Sequence, residues 1–443
     1  MNPTRRFLRE ARALRVPVQT RRQWGSVEGR TYALRLITRH HFLLPKKPVD
    51  TIWQHISVTV DDGTLKGDFF NDMKELERIG KARFGSGMSY NIGWDMQTGM
   101  VGLGMPFSAK GTHTVNYKKI PRFSYDQNGV AIAIVAIGVP GNRVSDRAKG
   151  LLIKTIAALI LSGIVTSDPD YEPHSLVAAK DCPTDALREI MPEVLAEALK
   201  LVREIRNQRR SGIRVITHNI RNDLTDAKAT ADFLDDLSKN PDVLCLQEVM
   251  KRRASVFNEA AVSKGYANRG AIWFRKDKWR ILDSGSHHLS DATLVGKPGA
   301  GPDTLRAKRA QWVELEHKVT GEVHTFINVH LAPSINLNEV RSDLHKQQIS
   351  RLADFASKKR NDGEVTVCGD FNASHKKWAN FWRFAPMRMV GLRPNWKLGF
   401  AVGPTFPKHN GYIDAVWTTK SLVSQSVDKT VSSDHRSLLV RIR

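Results

Sequence analysis

The sequence predicts two domains, the first with strands and helices interleaved, the second with packed sheets and helices outside. Three observations predict this. The chain has 443 residues, enough for two or three cores. A polar, basic stretch, Arg206-Asn207-Gln208-Arg209-Arg210-Ser211-Gly212, interrupts the apolar pattern near the middle. After it, short apolar runs come often and helical stripes seldom. The expected divisions are a basic arm over 1–20, a first domain over 21–205, a linker over 206–212 and a second domain over 213–443.

In the first half, residues 49–60 alternate enough for a strand that carries His55. Phe69, Met73, Leu76 and Ile79 repeat at helical spacing. Gly93 and Gln97-Thr98-Gly99 suggest a hairpin within residues 89–103. Residues 131–138 read as an almost continuous apolar strand. Leu152, Ile156, Leu159 and Ile160 share one face of a helix over 146–163. Thr184 is a candidate cap for the next helix, and Pro192 restarts or kinks it. The stripe Val194, Leu195, Ala198, Leu199, Val202 and Ile205 follows. Residues 1–20 are expected to be an exposed helix or unstructured. In the second half, strands are expected at 213–217, 243–246, 271–275, 311–317, 324–330, 365–368, 413–418 and 437–442, and helices at 226–237 and 339–358.

A formal net charge of +23 and a sequence pI of about 10.0 point to polyanionic partners: nucleic acid, teichoic acid or an anionic surface. Cys182, Cys245 and Cys368 are few and far apart, which argues against a disulfide framework and fits a reducing compartment. The arginine-rich start lacks an apolar segment, so no secretion signal is expected. The apolar runs at 130–139 and 151–165 are too short to cross a bilayer, and the second carries Lys154. No membrane span is expected.

Several strand ends of the second half carry polar groups. They are Thr217-His218-Asn219, Leu246-Gln247-Glu248, Asn328-Val329-His330, Gly369-Asp370-Phe371-Asn372, Tyr412-Ile413-Asp414 and Ser433-Asp434-His435. In extended chain, Asp370 and Asn372 point to one side. Each motif alone reads as a turn, and their shared placement suggests a site. With Gln247-Glu248, Gly369-Asp370-Phe371-Asn372 and Ser433-Asp434-His435 in that order, residues 213–443 resemble the endonuclease/exonuclease/phosphatase family, the deoxyribonuclease-I-like fold.

That resemblance implies an α+β β-sandwich flanked by helices, with a site at one end of the sheets. Glu248 would be the main ligand of Mg2+ or Mn2+, with Asn219 and Asp434 nearby. His435 would be a base or a phosphate contact oriented by Asp414, and His330 would face the other side of the phosphate. Asp370 and Asn372 would position the water and phosphoryl oxygens. The proton-transfer roles stay open among Asp370, His330 and His435. Arg309 is a candidate phosphate contact. Basic charge beside Trp378, Trp382 and Trp396 favours nucleic acid, DNA first, with a lipid or small phosphoester second. The competing reading of these tryptophans is core.

His55, His174 and Cys182 are the residue types of a catalytic zinc site. Around them, Arg22-Gln23-Trp24-Gly25, Ser89-Tyr90-Asn91-Ile92-Gly93, Gly111-Thr112-His113 to Asn116 and Cys182-Pro183 occur in one order. In that order, residues 21–201 resemble the peptidoglycan-recognition and N-acetylmuramoyl-L-alanine amidase family, phage endolysins included. The resemblance implies an α/β mixed-sheet domain with zinc held by His55, His174 and Cys182. Tyr90 and Lys180 would polarise the scissile carbonyl, and His113 and Asn116 would line the groove. The sequence departs from the family pattern at Gln54-His55-Ile56-Ser57, which lacks a second histidine, and at Ser175 and Thr184.

Together these readings imply a bifunctional hydrolase, a zinc amidase of peptidoglycan joined to a metal-dependent phosphodiesterase. Such a pairing suits a phage-encoded, endolysin-like protein, made in the host cytoplasm and acting at the wall or carried in the virion. The alternative is a peptidoglycan-binding virion or wall-anchoring protein that carries a phosphatase or phosphodiesterase domain.

Overall fold

The computed structural model describes residues 2–26, 48–56, 68–84, 88–107, 118–123, 131–138, 143–178, 182–297, 300–374, 380–398, 404–409, 411–428 and 431–443. The chain divides into two compact units, Met1–Arg206 and Asn207–Arg443.

The first unit is built on a mixed sheet. Its strands are β1 (Val18–Gln19), β2 (Val49–Ile56), β3 (Ile92–Asp95), β4 (Val101–Leu103), β5 (Ala131–Ile137) and β6 (Val165–Pro173). They lie in the order β1-β4-β3-β5-β2-β6. β3 and β4 pair antiparallel, while β5 and β2 form the parallel centre. The central strand β5 is buried along its whole length, which its continuous Ala/Ile/Val run requires. β6 escapes sequence reading because Pro169, Pro173 and three acidic residues break its pattern; it occupies a sheet edge, where proline is tolerated. Strand β2 ends at Ile56, and residues 57–60 lie outside the described residues.

Two expectations for this half need correction. The basic arm contains a packed helix, Pro3–Ala13, with Phe7 and Ala11 fully buried. Phe7 meets Phe107 edge-on, 5.2 Å between centroids. Arginine dominates the composition there, but Phe7, Ala11 and Leu14 form an i, i+4, i+7 stripe. The expected linker is also helical. One helix runs Asp185–Ser211 with Pro192 inside it, and Gly212 follows with φ +70. Arginine and glutamine are good helix formers, so a polar stretch need not end a helix.

The second unit is a sandwich of two six-stranded sheets. One holds β7 (Ile213–Asn219), β8 (Val243–Gln247), β9 (Tyr266–Arg269), β10 (Ile272–Arg275), β19 (Leu422–Val427) and β20 (Leu438–Ile442), ordered β19-β20-β7-β8-β10-β9. The other holds β11 (Trp279–Ser290), β14 (Lys308–His317), β15 (Val323–His330), β16 (Glu364–Asp370), β17 (Arg393–Pro394) and β18 (Asp414–Thr418), ordered β11-β14-β15-β16-β18-β17. A separate hairpin joins β12 (Thr293–Lys297) to β13 (Ala300–Leu305).

Val215, Val243, Cys245 and Phe274 of one sheet pack with Val313, Phe326, Cys368 and Val416 of the other. Helices Asp226–Ser238 and Lys251–Ser263 cover the first sheet through Phe233 and Phe257. Helix Glu339–Arg360 covers the second through Ile349, Leu352 and Ala356. Cys245 and Cys368 are thus inter-sheet core residues, and neither is in a disulfide.

This arrangement fixes where strand ends fall. β15 and β16 run parallel, and β18 runs antiparallel to β16, so His330 pairs with Asp370 and Asp370 with Asp414. Gly369 permits the β15–β16 approach. Its φ is +148, and a Cβ there would meet the Val329 carbonyl oxygen at 2.0 Å. Gly369→Ala is therefore expected to destabilise the second unit by on the order of 3 kcal/mol, read as a lower urea midpoint. An unchanged midpoint would contradict that packing.

Candidate functional site

Six polar residues from the strand ends converge on one carboxylate. Asp370 is almost fully buried, and its Oδ2 accepts a hydrogen bond from Asn219 Nδ2 at 3.1 Å. His330 Nε2 and His435 Nε2 stand 3.7 Å and 3.8 Å from the same oxygen. Asp370 Oδ1 accepts from the Asn372 backbone N–H at 2.8 Å. Glu248 Oε1 accepts from Asn219 Nδ2 at 3.1 Å and lies 3.9 Å from His330 Nε2. Asp414 Oδ2 meets His435 Nδ1 at 2.9 Å. Gaps of 3.7–3.9 Å exceed a direct hydrogen bond.

The surrounding chain holds these groups in place. Glu248 and Asn372 adopt left-handed backbone, φ +59 and +51, unusual for non-glycine residues. Gln247 Nε2 donates to Asn328 Oδ1 at 2.7 Å, a tie between the sheets directly before Glu248. The Asn222 N–H donates to Glu248 Oε2 at 3.0 Å. Buried Arg253 donates to the carbonyls of Arg221, Asn222 and Leu224, which fixes that loop. Asp232 accepts the N–H groups of Ser432 and Ser433, and Ser433 Oγ donates to the Asn219 carbonyl. These bonds anchor the turn that presents His435. His345 Nε2 meets the Phe371 carbonyl at 2.6 Å behind Asp370.

The electrostatics separate the titratable groups. Burial, reinforced by the charge of Asp414, raises the Asp370 carboxyl to about 7. Burial also disfavours charge on His435, but the charge and hydrogen bond of Asp414 outweigh it and raise His435 to about 9. His330 is lowered to about 4 by burial and by Lys308. It is neutral near pH 7, so its approaches to Glu248 and Asp370 are not ion pairs. Burial disfavours charge on Glu248, yet bonds from Asn219 and Asn222 hold its carboxyl below the usual range.

Sequence reading missed Lys308, a half-buried ammonium whose pKa burial lowers and which feels Asp370 and Glu248. Its strand neighbour Arg309, the expected phosphate contact, does not join the group. Arg309 is exposed and donates to Ser286 Oγ at 3.1 Å on β11. Alternation along β14 separates the two residues, a signal available only once the register is known. Asp434 lies beside His435 with Oδ2 3.7 Å from Arg221 Nη1. Of the three tryptophans, Trp382 is 69% exposed and Trp396 packs against the core, while Trp378 lies outside the described residues.

A model of the endonuclease/exonuclease/phosphatase family matches residues 216–435. This C-terminal region is an endonuclease/exonuclease/phosphatase family domain. The family generally uses divalent Mg2+ or Mn2+. Among solved structures, the chain is similar to an endonuclease/exonuclease/phosphatase from Bacteroides vulgatus, at 18% identity over 52% of this chain and 98% of that one, TM-score 0.42. It is similar to the human Nocturnin catalytic domain with bound sulfate, at 22% identity over 53% and 94%, TM-score 0.41. It is also similar to a Bacteroides thetaiotaomicron mannosyl-6-phosphatase, at 16% identity over 52% and 99%, TM-score 0.40. No curated protein matches the chain.

The donor set of the endonuclease/exonuclease/phosphatase domain fits a hard divalent cation. Glu248 supplies a carboxylate, and Asn219 Oδ1 is buried with no hydrogen-bond partner. Asp370, Asp414 and His435 also cluster within metal-ligand distance, their ligand atoms within 4.8 Å of one another. With Nδ1 on Asp414 and a raised pKa, His435 is better suited to hold a proton. Asp414→Asn is expected to return His435 to about 6.5 or below. Histidine NMR in chelator would check this: the C–H signal should titrate near 9 in the native chain. An unshifted midpoint in the variant would contradict the Asp414 assignment.

In the first unit, His55, His174 and Cys182 also converge, with ligand atoms within 4.8 Å of one another. His55 stands one residue before the end of β2, His174 opens a short 3-10 turn after β6, and Cys182 precedes helix Asp185–Ser211. The His55 and His174 rings lie 4.2 Å apart, and Tyr90 lies 5.0 Å from His55 between centroids. The Ile56 N–H donates to Cys182 Sγ at 3.4 Å. Lys180, His113 and Asn116 lie outside the described residues. Among the described residues, no helix is long and apolar enough to cross a membrane.

Proposed function

We propose that the C-terminal domain is a Mg2+- or Mn2+-dependent phosphodiesterase acting on nucleic acid, DNA first. The observation that carries this is the convergence of Asn219, Glu248, His330, His435 and Asp414 around Asp370. Glu248 and Asn219 would hold the cation, which supplies charge neutralisation at the phosphate. With a carboxyl near 7, Asp370 can take and return a proton at Oδ2. His435, kept protonated by Asp414, directs positive charge toward the developing oxyanion. Asn372 fixes Asp370, and Lys308 adds a second cation.

Nucleic acid is favoured over a small phosphoester by the +23 charge and by exposed Phe381 and Trp382, which can stack on bases. The test is a panel of plasmid DNA, inositol phosphates and sphingomyelin with Mg2+. Turnover of DNA above the others supports the reading, and turnover of a small phosphoester alone would replace it.

For the first unit we propose a zinc-dependent amidase of peptidoglycan, cutting between lactyl-muramic acid and L-alanine. Two imidazoles and one thiol within 4.8 Å form a borderline-soft donor set suited to zinc. Bound there, zinc would supply Lewis-acid activation. Tyr90, beside His55, would donate its hydroxyl proton toward the carbonyl oxygen. In this reading the chain is phage-encoded, made in the host cytoplasm and active at the wall.

Elemental analysis is expected to find one zinc per chain, lost in Cys182→Ser, with wall lysis lost in His55→Ala. Absence of zinc, with lysis intact in His55→Ala, would end the amidase reading. Zinc bound without lysis would leave a peptidoglycan-binding module.

A further inference from the structure

The strands that end in the phosphoesterase residues begin around a different cavity. Asn219 closes β7 and Ile213 opens it; His330 closes β15 and His324 stands near its start. Six residue steps along the strand separate each pair, about 20 Å at the usual rise. Trp279 opens β11, and Ile442 closes β20. Together they line a cavity of about 200 Å³ with His317 and several charged residues.

Apolar surface makes up the larger share of its walls, and the polar groups left without a partner include a fixed donor. The Trp279 indole Nε1 is buried with no hydrogen-bond partner. His324 is buried too, with Nε2 on Thr366 Oγ1 at 2.7 Å and Nδ1 without a partner. His317 Nδ1 accepts the N–H groups of Val319 and Thr320 at 3.3 and 3.2 Å, which leaves the ring proton on Nε2. Burial and the charge of Lys420 keep His324 neutral.

Around these rings, cations outnumber carboxylates. Lys278 pairs with Asp242 at 2.5 Å. Lys420 and Arg209 share Glu322 at 3.2 and 3.3 Å. Arg443 adds a further cation. Both side-chain carboxylates are already engaged, which leaves the Trp279 indole N–H open to an acceptor that enters the cavity.

We propose that this cavity binds a small organic carboxylate with a flat apolar body. The carboxylate would accept from Trp279 Nε1 and face Lys420, while the body lies against Ile213 and Ile442. A cavity of about 200 Å³ is larger than an inorganic anion needs. None of these residues belongs to the phosphoesterase machinery, so the proposal stands apart from that reading.

The experiment is NMR of the full chain with isotope-labelled indole nitrogens, titrated with benzoate. One indole N–H signal, the one absent from Trp279→Phe, is expected to move. Benzyl alcohol and inorganic phosphate should leave that signal in place. Lys420→Met, a partly exposed position, should weaken benzoate at least about tenfold. Phosphoesterase activity should stay unchanged in both variants. The proposal is overturned if benzoate at ~10 mM moves no indole signal. It is equally overturned if the moving signal survives in Trp279→Phe, if benzyl alcohol or phosphate moves it as much, or if Lys420→Met binds benzoate as tightly.

Discussion

Asp370→Asn is expected to lower kcat for phosphoester cleavage by about 10²–10⁴ with little change in KM. The substitution keeps the side-chain shape. An amide oxygen can still accept the Asn372 N–H that Asp370 Oδ1 accepts at 2.8 Å. It cannot exchange a proton. Stability supplies the control. Burial and Asp414 raise the Asp370 carboxyl to about 7, so its ionised form is disfavoured in the folded protein. A neutral amide removes that penalty, which builds from the ordinary carboxyl range near pH 4 and is complete above about pH 7. The variant should therefore melt at the same temperature or higher under alkaline conditions while activity falls. Activity falling together with stability would indicate a structural role instead.

The second large effect is expected at Glu248. Glu248→Gln keeps one side-chain acceptor where Glu248 offers two, one each for Asn219 and Asn222, and removes the charge that a hard cation requires. Outer-shell changes alone typically cost 10–100-fold in metal affinity, so loss of a direct ligand should exceed about 100-fold. The measurement is the Mg2+ concentration giving half-maximal activity, followed by Mn2+ calorimetry on the same variant. Any zinc found in the first unit should be unchanged. A half-maximal Mg2+ concentration equal to that of the native chain would remove Glu248 from the metal site.

Much of the second unit was legible because its strands are short apolar runs that stop at polar residues. Val365-Thr366-Val367-Cys368 reads as a buried strand, and β16 contains it. What sequence could not supply was register. The choice between Lys308 and Arg309 depends on which face of β14 turns inward, and that follows only from pairing with β11 and β15. Asp232, Arg253 and His345 act through backbone contacts across the fold, which no local pattern announces.

Helix Lys251–Ser263 was missed because its buried face is Arg253, Phe257 and Ala261, too sparse and too polar for an apolar stripe. β11 was missed because Gly285 and alternating polar residues suit an edge strand but not a typical apolar run. In the first unit, His55, His174 and Cys182 stood out as residue types, and tertiary structure brings them together.

The measurement that tests the central claim most directly is nicking of supercoiled plasmid by the full chain, with added Mg2+ and with chelator. The account predicts conversion to open-circular DNA with Mg2+, none with chelator, and at most a trace in Asp370→Asn. Intact supercoiled plasmid at every Mg2+ and Mn2+ concentration, or equal nicking by the native chain and Asp370→Asn, would contradict it.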